Sequence, residues 1–364
     1  MIFRTVSLIT FTFQFMNLGI AAPNQSVAIP VKNPKKTNEL PRRTDNEYEE
    51  NGRLDVDMIK GDNGYYVELG VGNHQQNLRF QIDTESSAQL IVSNKCDSCF
   101  SDSENRRKFV GIDTESCPLD KLFNFKKFGI SYYGCLSTEP IYLRKGVSED
   151  VEFKALGTTS KMIDSAFEYD GIFGLGYPKT YAFHQNAKHG NSFIDTFLRN
   201  DKIVSINLKP GVEKISFGYQ NKESTTQDTV WEYTIGSSTF QFNAKSIKIG
   251  LREFKSMNRI VVNPKYQKNY FPSNLVGIVK DFVANSGNCI NINALPAIIF
   301  TVEGGALTLG PKDYITFRNG VCESSIEEID SEKYDPDTFI FGQDFFRKYV
   351  VAFDYRNNKI GFTN

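Results

Sequence analysis

The chain has 364 residues, 40% of them hydrophobic and 13% aromatic, enough to bury more than one core. Its 42 Lys and Arg against 43 Asp and Glu leave a formal net charge of −1. With no Arg/Lys cluster interleaved with aromatics, that balance excludes the basic face of a nucleic-acid binder and lends nothing to a membrane surface or an acidic substrate as partner.

Met1 to Ala22 reads as a secretory signal peptide: Arg4, an apolar stretch from Val6 to about Ile20, then small residues at Gly19, Ala21 and Ala22. Interrupted by Gln14 and Asn17, the stretch is too short and too polar to span a bilayer, and no second long apolar run follows. The product is expected to be soluble, and secreted or held in an endolysosomal lumen. Its six cysteines then meet an oxidising compartment, where disulfides form. Residues 23–57 are rich in Asn, Pro, Lys, Arg and Glu without apolar periodicity, which predicts a pro-segment or disordered linker. This segment carries the sequon Asn24-Gln25-Ser26 and the dibasic pair Arg42-Arg43.

From Met58 onward, short alternating runs separated by Gly, Asn and Asp predict an all-β protein. Strands are expected over Tyr65 to Val71, Leu78 to Ile82, Leu90 to Val92, Lys127 to Tyr132, Ile141 to Leu143, Val151 to Leu156 and Ile203 to Leu208. A helix is expected over Ser192 to Arg199. The second half repeats the plan with Lys214 to Phe217, Trp231 to Ile235, Ala244 to Ile249, Arg259 to Val262, Ile298 to Val302 and Val350 to Phe353, and with a helix from Ser273 to Phe282. Two β lobes of similar size follow, over 58–205 and 206–364.

Within this pattern Asp83 sits on a short polar loop between a strand ending at Ile82 and one beginning at Leu90. An acid held between two core strands is costly unless hydrogen-bonded, so a functional role competes with a solvated hairpin. Ile82-Asp83-Thr84-Glu85-Ser86-Ser87 resembles the Asp-Thr-Gly-Ser-Ser loop of the pepsin-like aspartic proteases, with Glu85 where that family has Gly. Asp170-Gly171-Ile172-Phe173-Gly174-Leu175-Gly176-Tyr177-Pro178 resembles the family's buried segment after the flap. The run from Ile340-Phe341-Gly342-Gln343-Asp344 through Asn358-Lys359-Ile360-Gly361-Phe362 resembles its C-terminal end. Ile112-Asp113-Thr114-Glu115-Ser116 repeats the five letters of the first loop, but no apolar strand flanks it, and a surface loop is expected there.

The resemblance implies a bilobal pepsin-like acid protease fold, two β-barrel-like lobes with a cleft between them, descent from aspartic-type endopeptidases, and no cofactor or metal. In that family one Asp from each lobe shares a proton and holds a water, one acting as base and the other as acid. The matching loop of the second lobe reads Val262-Asn263-Pro264-Lys265-Tyr266, so Asn263 stands where the second Asp belongs, Pro264 where Thr or Ser is usual, and Lys265 where Gly is usual. Asn285, in Ala284-Asn285-Ser286-Gly287, lies too close to Cys289 to leave room for the helix that follows such a loop. An amide neither takes nor releases a proton here. Losing positioned acid–base catalysis costs about 10²–10⁴ in rate, so an endopeptidase that no longer turns over is expected.

What remains is a cleft for a peptide or protein ligand in a monomeric protein. The alternatives are an aspartic-type endopeptidase of atypical or residual activity using Asp83, and a secreted binding protein that works through its outer surface. Thr84 keeps a hydroxyl that can reach across the junction, while Pro264 has neither hydroxyl nor N–H to return the bond. Glu85 and Lys265, pseudo-symmetric and opposite in charge, are expected to pair across the cleft floor or else to be solvated separately. Tyr132 matches the family's flap tyrosine. Tyr133 and Cys135 replace the small residues usual beside it, and Ile91 replaces a Trp, which predicts a stiffer flap. The resemblance also implies a Cys289–Cys322 disulfide. Cys96, Cys99, Cys117 and Cys135 leave three connectivities open, and one close pair is too few for structural zinc. His74, His184 and His189 are scattered over loops and read as surface residues.

Overall fold

The computed structural model describes residues 53–364 except 101–105, 128–129, 145–146, 162–168, 178–192, 199–200, 223–227, 237–238, 256–257, 285–290 and 319–320. The expected signal peptide and most of the segment 23–57 lie outside these residues.

The strand Gln76–Asp83 organises the first lobe. Leu78, Phe80 and Ile82 alternate into the core, and from Gln81 onward the other face is covered too. It pairs antiparallel with Gly64–Val71 and parallel with Gly171–Gly174, inside an eight-stranded sheet that also holds Ile59–Gly61, Gln89–Val92, Val147–Thr159, Ile130–Arg144 and Leu122–Lys127. Asp83 faces Gly174 in the register. A Cβ on Gly174 would meet the Ala88 carbonyl oxygen at 2.4 Å, so only glycine lets the loop after Asp83 lie against that strand.

The second lobe repeats the device. Asn258–Val262 runs parallel to Thr338–Phe341 in a five-stranded sheet completed by Gln241–Ala244, Tyr270–Phe271 and Glu327–Glu328. Val262 faces Phe341, and the next residue, Gly342, lies where a Cβ would meet Lys268 O at 2.1 Å. The helix Ser273–Ala284 buries Leu275, Val276, Val279 and Val283, the spacing of one helical face. Its first turn closes on the Pro272 carbonyl through the N–H groups of Leu275 and Val276. Phe271, Phe300, Phe339 and Phe341 meet edge to face at 5.0–5.7 Å in the core, each burial contributing about 1.5–3 kcal/mol.

A six-stranded sheet, in the order Leu54–Asp57, Lys214–Phe217, Ile203–Asn207, Val350–Asp354, Lys359–Thr363, Val230–Tyr233, joins the two halves of the chain. Its first strand falls inside the stretch that shows no periodicity. Only Leu54 and Val56 alternate there, and pairing with Lys214–Phe217 makes the strand where local pattern does not. The single strand expected over Lys127 to Tyr132 is instead the end of one hairpin arm and the start of the next. The strand expected over Ala244 to Ile249 breaks at Lys245, whose N–H bonds Thr301 O. Its first part lies in the five-stranded sheet, and Ser246–Ile249 joins Arg252–Phe254, Ile298–Val302 and Gly305–Leu309 in a four-stranded one. The helix of the first lobe covers Phe193–Phe197, while Ser192 and Arg199 lie outside the described residues. The result is the all-β bilobal architecture expected.

Candidate active site

Asp83 ends its strand almost wholly buried, at 1% exposure, and its carboxylate is held from three directions. Oδ1 accepts the Glu85 N–H at 2.8 Å and the Asn263 Nδ2 at 2.9 Å, and Oδ2 lies 3.8 Å from the Lys265 ammonium. Thr84 crosses to the other lobe twice, its hydroxyl donating to Val262 O at 2.6 Å and its N–H to Asn263 Oδ1 at 3.3 Å.

Asn263, fully buried, answers from the second lobe. Its Oδ1 accepts Thr84 N–H and, at 3.0 Å, Lys265 N–H; its Nδ2 donates to Asp83 Oδ1 and, at 2.8 Å, to Glu85 Oε2. Two backbone donors on one side and two carboxylates on the other fix which amide atom is which. Both donors and both acceptor positions of the side chain are engaged. Pro264 returns no bond through a hydroxyl or an N–H, and its carbonyl accepts Gln343 Nε2 at 2.8 Å, while Gln343 Oε1 accepts Tyr65 N–H at 3.1 Å. Gln81 Nε2 donates to Lys265 O at 3.0 Å and ties the lobes again.

Lys265 is placed against Asp83, and Glu85 against Asn263 and Tyr334. The Lys265 ammonium lies against the deeper carboxylate, that of Asp83, at the end of the Gln76–Asp83 strand. At this separation and an effective dielectric near 20 the gross attraction is about 4 kcal/mol, reduced by the desolvation of a lysine that keeps 19% of its side-chain exposure. Glu85, only partly buried, takes the Tyr334 hydroxyl at 2.9 Å as well as the Asn263 amide. Tyr334 O lies 2.5 Å from the Tyr266 hydroxyl. Each phenol has one proton and that of Tyr334 points to Glu85, so Tyr266 donates to Tyr334. Burial, and after it the Glu85 charge, pushes the pKa of both phenols above the ordinary tyrosine value. Tyr266, Tyr334, Gln81 and Gln343 were not legible as site residues. The signals available were polar residues inside buried segments, Gln81 in the strand ending at Asp83 and Gln343 beside Asp344.

Tyr132 is 4% exposed and stacked on Phe125 at 4.6 Å, within a side cluster that includes Leu90, Val92, Phe123 and Leu156. Burial raises its pKa. Cys135 is bonded to Cys117 and Cys96 to Cys99, which selects one of the three connectivities and ties the strand Ile130–Arg144 to the loop before it. Ile91 is fully buried and Ser86 partly so, its hydroxyl accepting the Ala88 N–H at 3.2 Å. Cys322 is disulfide-bonded, and Cys289, Asn285, His184 and His189 lie outside the described residues. The second copy of the loop motif is on the surface as expected. Asp113 is fully exposed there, and the Ser116 hydroxyl bonded to its carboxylate lowers its pKa.

Chemically, the junction brings together two carboxylates, an amide that donates to both, one ammonium and a pair of phenols. The family model for eukaryotic aspartyl proteases matches residues 64–364. Pepsin A of Bos taurus is 24% identical over 324 residues, covering 82% of this chain and 84% of the relative. Pepsin-2B of Gadus morhua is 24% identical over 314 residues, covering 83% and 96%. Pepsin A of Gallus gallus is 24% identical over 326 residues, covering 82% and 84%. The chain belongs to the eukaryotic aspartyl protease family.

Proposed function

We propose that this protein is a secreted or endolysosomal pepsin-like homologue that no longer turns over as an endopeptidase and uses its inter-lobe cleft to hold a peptide or protein, as a monomer. Asn263 takes the place of the second catalytic aspartate. One observation carries the reading: every hydrogen-bonding position of the Asn263 side chain is engaged, two of them by carboxylates. A shared-proton cycle needs a group at this point that alternates between donor and acceptor, and a primary amide keeps both its hydrogens. The Lys265 ammonium beside Asp83 Oδ2 further opposes the use of that oxygen as a base for water. The two disulfides suit an oxidising compartment, and among the described residues no helix is long and apolar enough to cross a membrane.

The test is hydrolysis of unstructured peptides at acid pH by the mature protein, with and without pepstatin. No pepstatin-sensitive turnover is expected, and turnover abolished by Asp83→Ala would overturn the reading. A second reading, an endopeptidase of atypical activity, is favoured by Glu85: its carboxylate sits two hydrogen bonds from that of Asp83, through the Asn263 amide. Under that reading Glu85→Gln abolishes turnover as fully as Asp83→Ala does.

A further inference from the structure

Tyr334 lies on the segment between the strands Glu327–Glu328 and Thr338–Phe341, and its neighbours on both sides, Ser331 to Lys333 and Asp335 to Asp337, are exposed. Its side chain alone turns inward, onto Val261, Ile329 and Ile340, with Tyr266 and Tyr270 beside it. The hydroxyl crosses to the other lobe, 249 residues away in sequence, to reach Glu85 Oε2. The turns that shape the segment are local: Lys333 and Tyr334 N–H bond Asp330 O, and Thr338 N–H bonds Asp335 O. Moving the tyrosine therefore breaks two phenol hydrogen bonds and its packing on the Val261, Ile329 and Ile340 cluster, none of them a ladder bond of the sheets.

We propose that Tyr334 is an internal occupant of the cleft, a strap whose phenol fills the place beside Asn263 and Glu85 that a ligand side chain would otherwise take. A ligand gains the centre by displacing it, and the cavity so vacated selects a group of the same chemistry: an aromatic or aliphatic body with a hydrogen-bond donor at its tip, directed at Glu85. A peptide offering a tyrosine there fits; one offering an acid faces the Glu85 carboxylate and is rejected. This proposal rests on the reading that the cleft holds peptide, and it adds the ligand class and the contact that competes with it.

Tyr334→Phe keeps the ring and deletes the donor, so the fold survives while the strap loosens. Two measurements decide. Calorimetric titration with pepstatin, a hydroxyl-bearing peptide, should show affinity rising about tenfold in the Phe variant, the loss of one charge-assisted hydrogen bond in the closed state. Amide exchange over 330–337, without ligand, should speed up by a similar factor. Unchanged affinity in a variant that binds overturns the proposal, whatever the exchange shows. If neither protein binds pepstatin, the cleft reading is the one that fails, and unchanged exchange then removes the strap as well.

Discussion

The hydrogen bond from Asn263 Nδ2 to Asp83 Oδ1, 2.9 Å long and buried, runs in one direction only. Between two carboxyl groups the proton of such a bond can sit on either side; between an amide and a carboxylate it stays on nitrogen. The second hydrogen of the same nitrogen is committed to Glu85. Asn263 and Glu85 thus form a matched pair, the amide supplying the hydrogen that the carboxylate accepts.

That match is measurable. Asn263→Asp alone sets a third carboxylate against two others and removes both donors, and it is expected to cost about 2–5 kcal/mol at pH 7. Combining it with Glu85→Gly removes one of the repelling groups, so the double variant should recover part of the loss, with a coupling of about 0.5–3 kcal/mol. Urea unfolding of the four proteins gives the coupling directly. Strict additivity would mean that the two side chains do not act together. Any peptide hydrolysis at acid pH should appear in the double variant first.

Thr84 carries a hydroxyl that crosses between the two loops. Thr84→Val keeps its shape and leaves the Val262 carbonyl without its 2.6 Å donor in a place without exposure. A loss of about 1–3 kcal/mol is expected, and Thr84→Ser should restore most of it. Equal stability of the Val and Ser variants in denaturant titrations would show that the hydroxyl does not tie the lobes.

Asp170, at the start of the buried glycine segment, is fully buried and accepts the Arg79 N–H at 2.8 Å, the Arg79 guanidinium at 2.9 Å and the Arg107 N–H at 2.8 Å. Burial alone would raise its pKa, but the bonds from Arg79, with those from Arg107, outweigh that and hold it below the ordinary value. A depressed carboxyl pKa contributes stability above the unfolded value of about 3.9 that is lost as pH falls through the folded one. Asp170→Asn should therefore cost about 3–5 kcal/mol at pH 7 and progressively less below about pH 4. The check is the difference in unfolding free energy from pH 7 to pH 2, and a constant difference would refute the assignment.

The frame of the molecule was legible because it is written in short-range pattern. The alternation of Leu78, Phe80 and Ile82, the apolar run before Asn263 and the glycines at 174 and 342 each mark a strand or a close approach within a few residues. The centre was legible only in part. Asp83, Asn263 and Thr84 meet as their loops predict, yet the partners of Glu85 and Lys265 are decided by where side chains from distant segments arrive. Nothing near Tyr334 in sequence marks it as a neighbour of Glu85. Lys265 meets Asp83, the more deeply buried of the two acids on the opposite loop, a burial that charge counting ignores. The first strand, Leu54–Asp57, escaped notice for a related reason: four residues carry too little period to stand apart from a polar leader, and its partner supplies the rest.

Lys154 offers a pH-dependent test of the Phe125–Tyr132 stack. It lies on Val147–Thr159 at 7% exposure, its ammonium 5.5 Å from the centre of the Phe125 ring, which is itself stacked on Tyr132. Burial lowers its pKa from 10.5 to about 8, with Glu152 pulling weakly the other way. Below about pH 8 the folded protein carries a poorly solvated charge, which the ring face offsets by about 0.5–2 kcal/mol. Between about 8 and 10.5 the unfolded chain binds more protons than the folded one, so this site makes stability rise with pH over that window. Lys154→Met removes the charge and keeps the length. It should stabilise the protein on the order of 1–3 kcal/mol at pH 6, and the advantage should shrink above pH 8 and vanish near 10.5. Urea titrations at pH 6, 8 and 10 measure it. A variant less stable than the parent at pH 6 would show that the ammonium clamps the Phe125–Tyr132 stack more strongly than its burial opposes it, and that this hairpin is held by charge as well as by the Cys117–Cys135 bond.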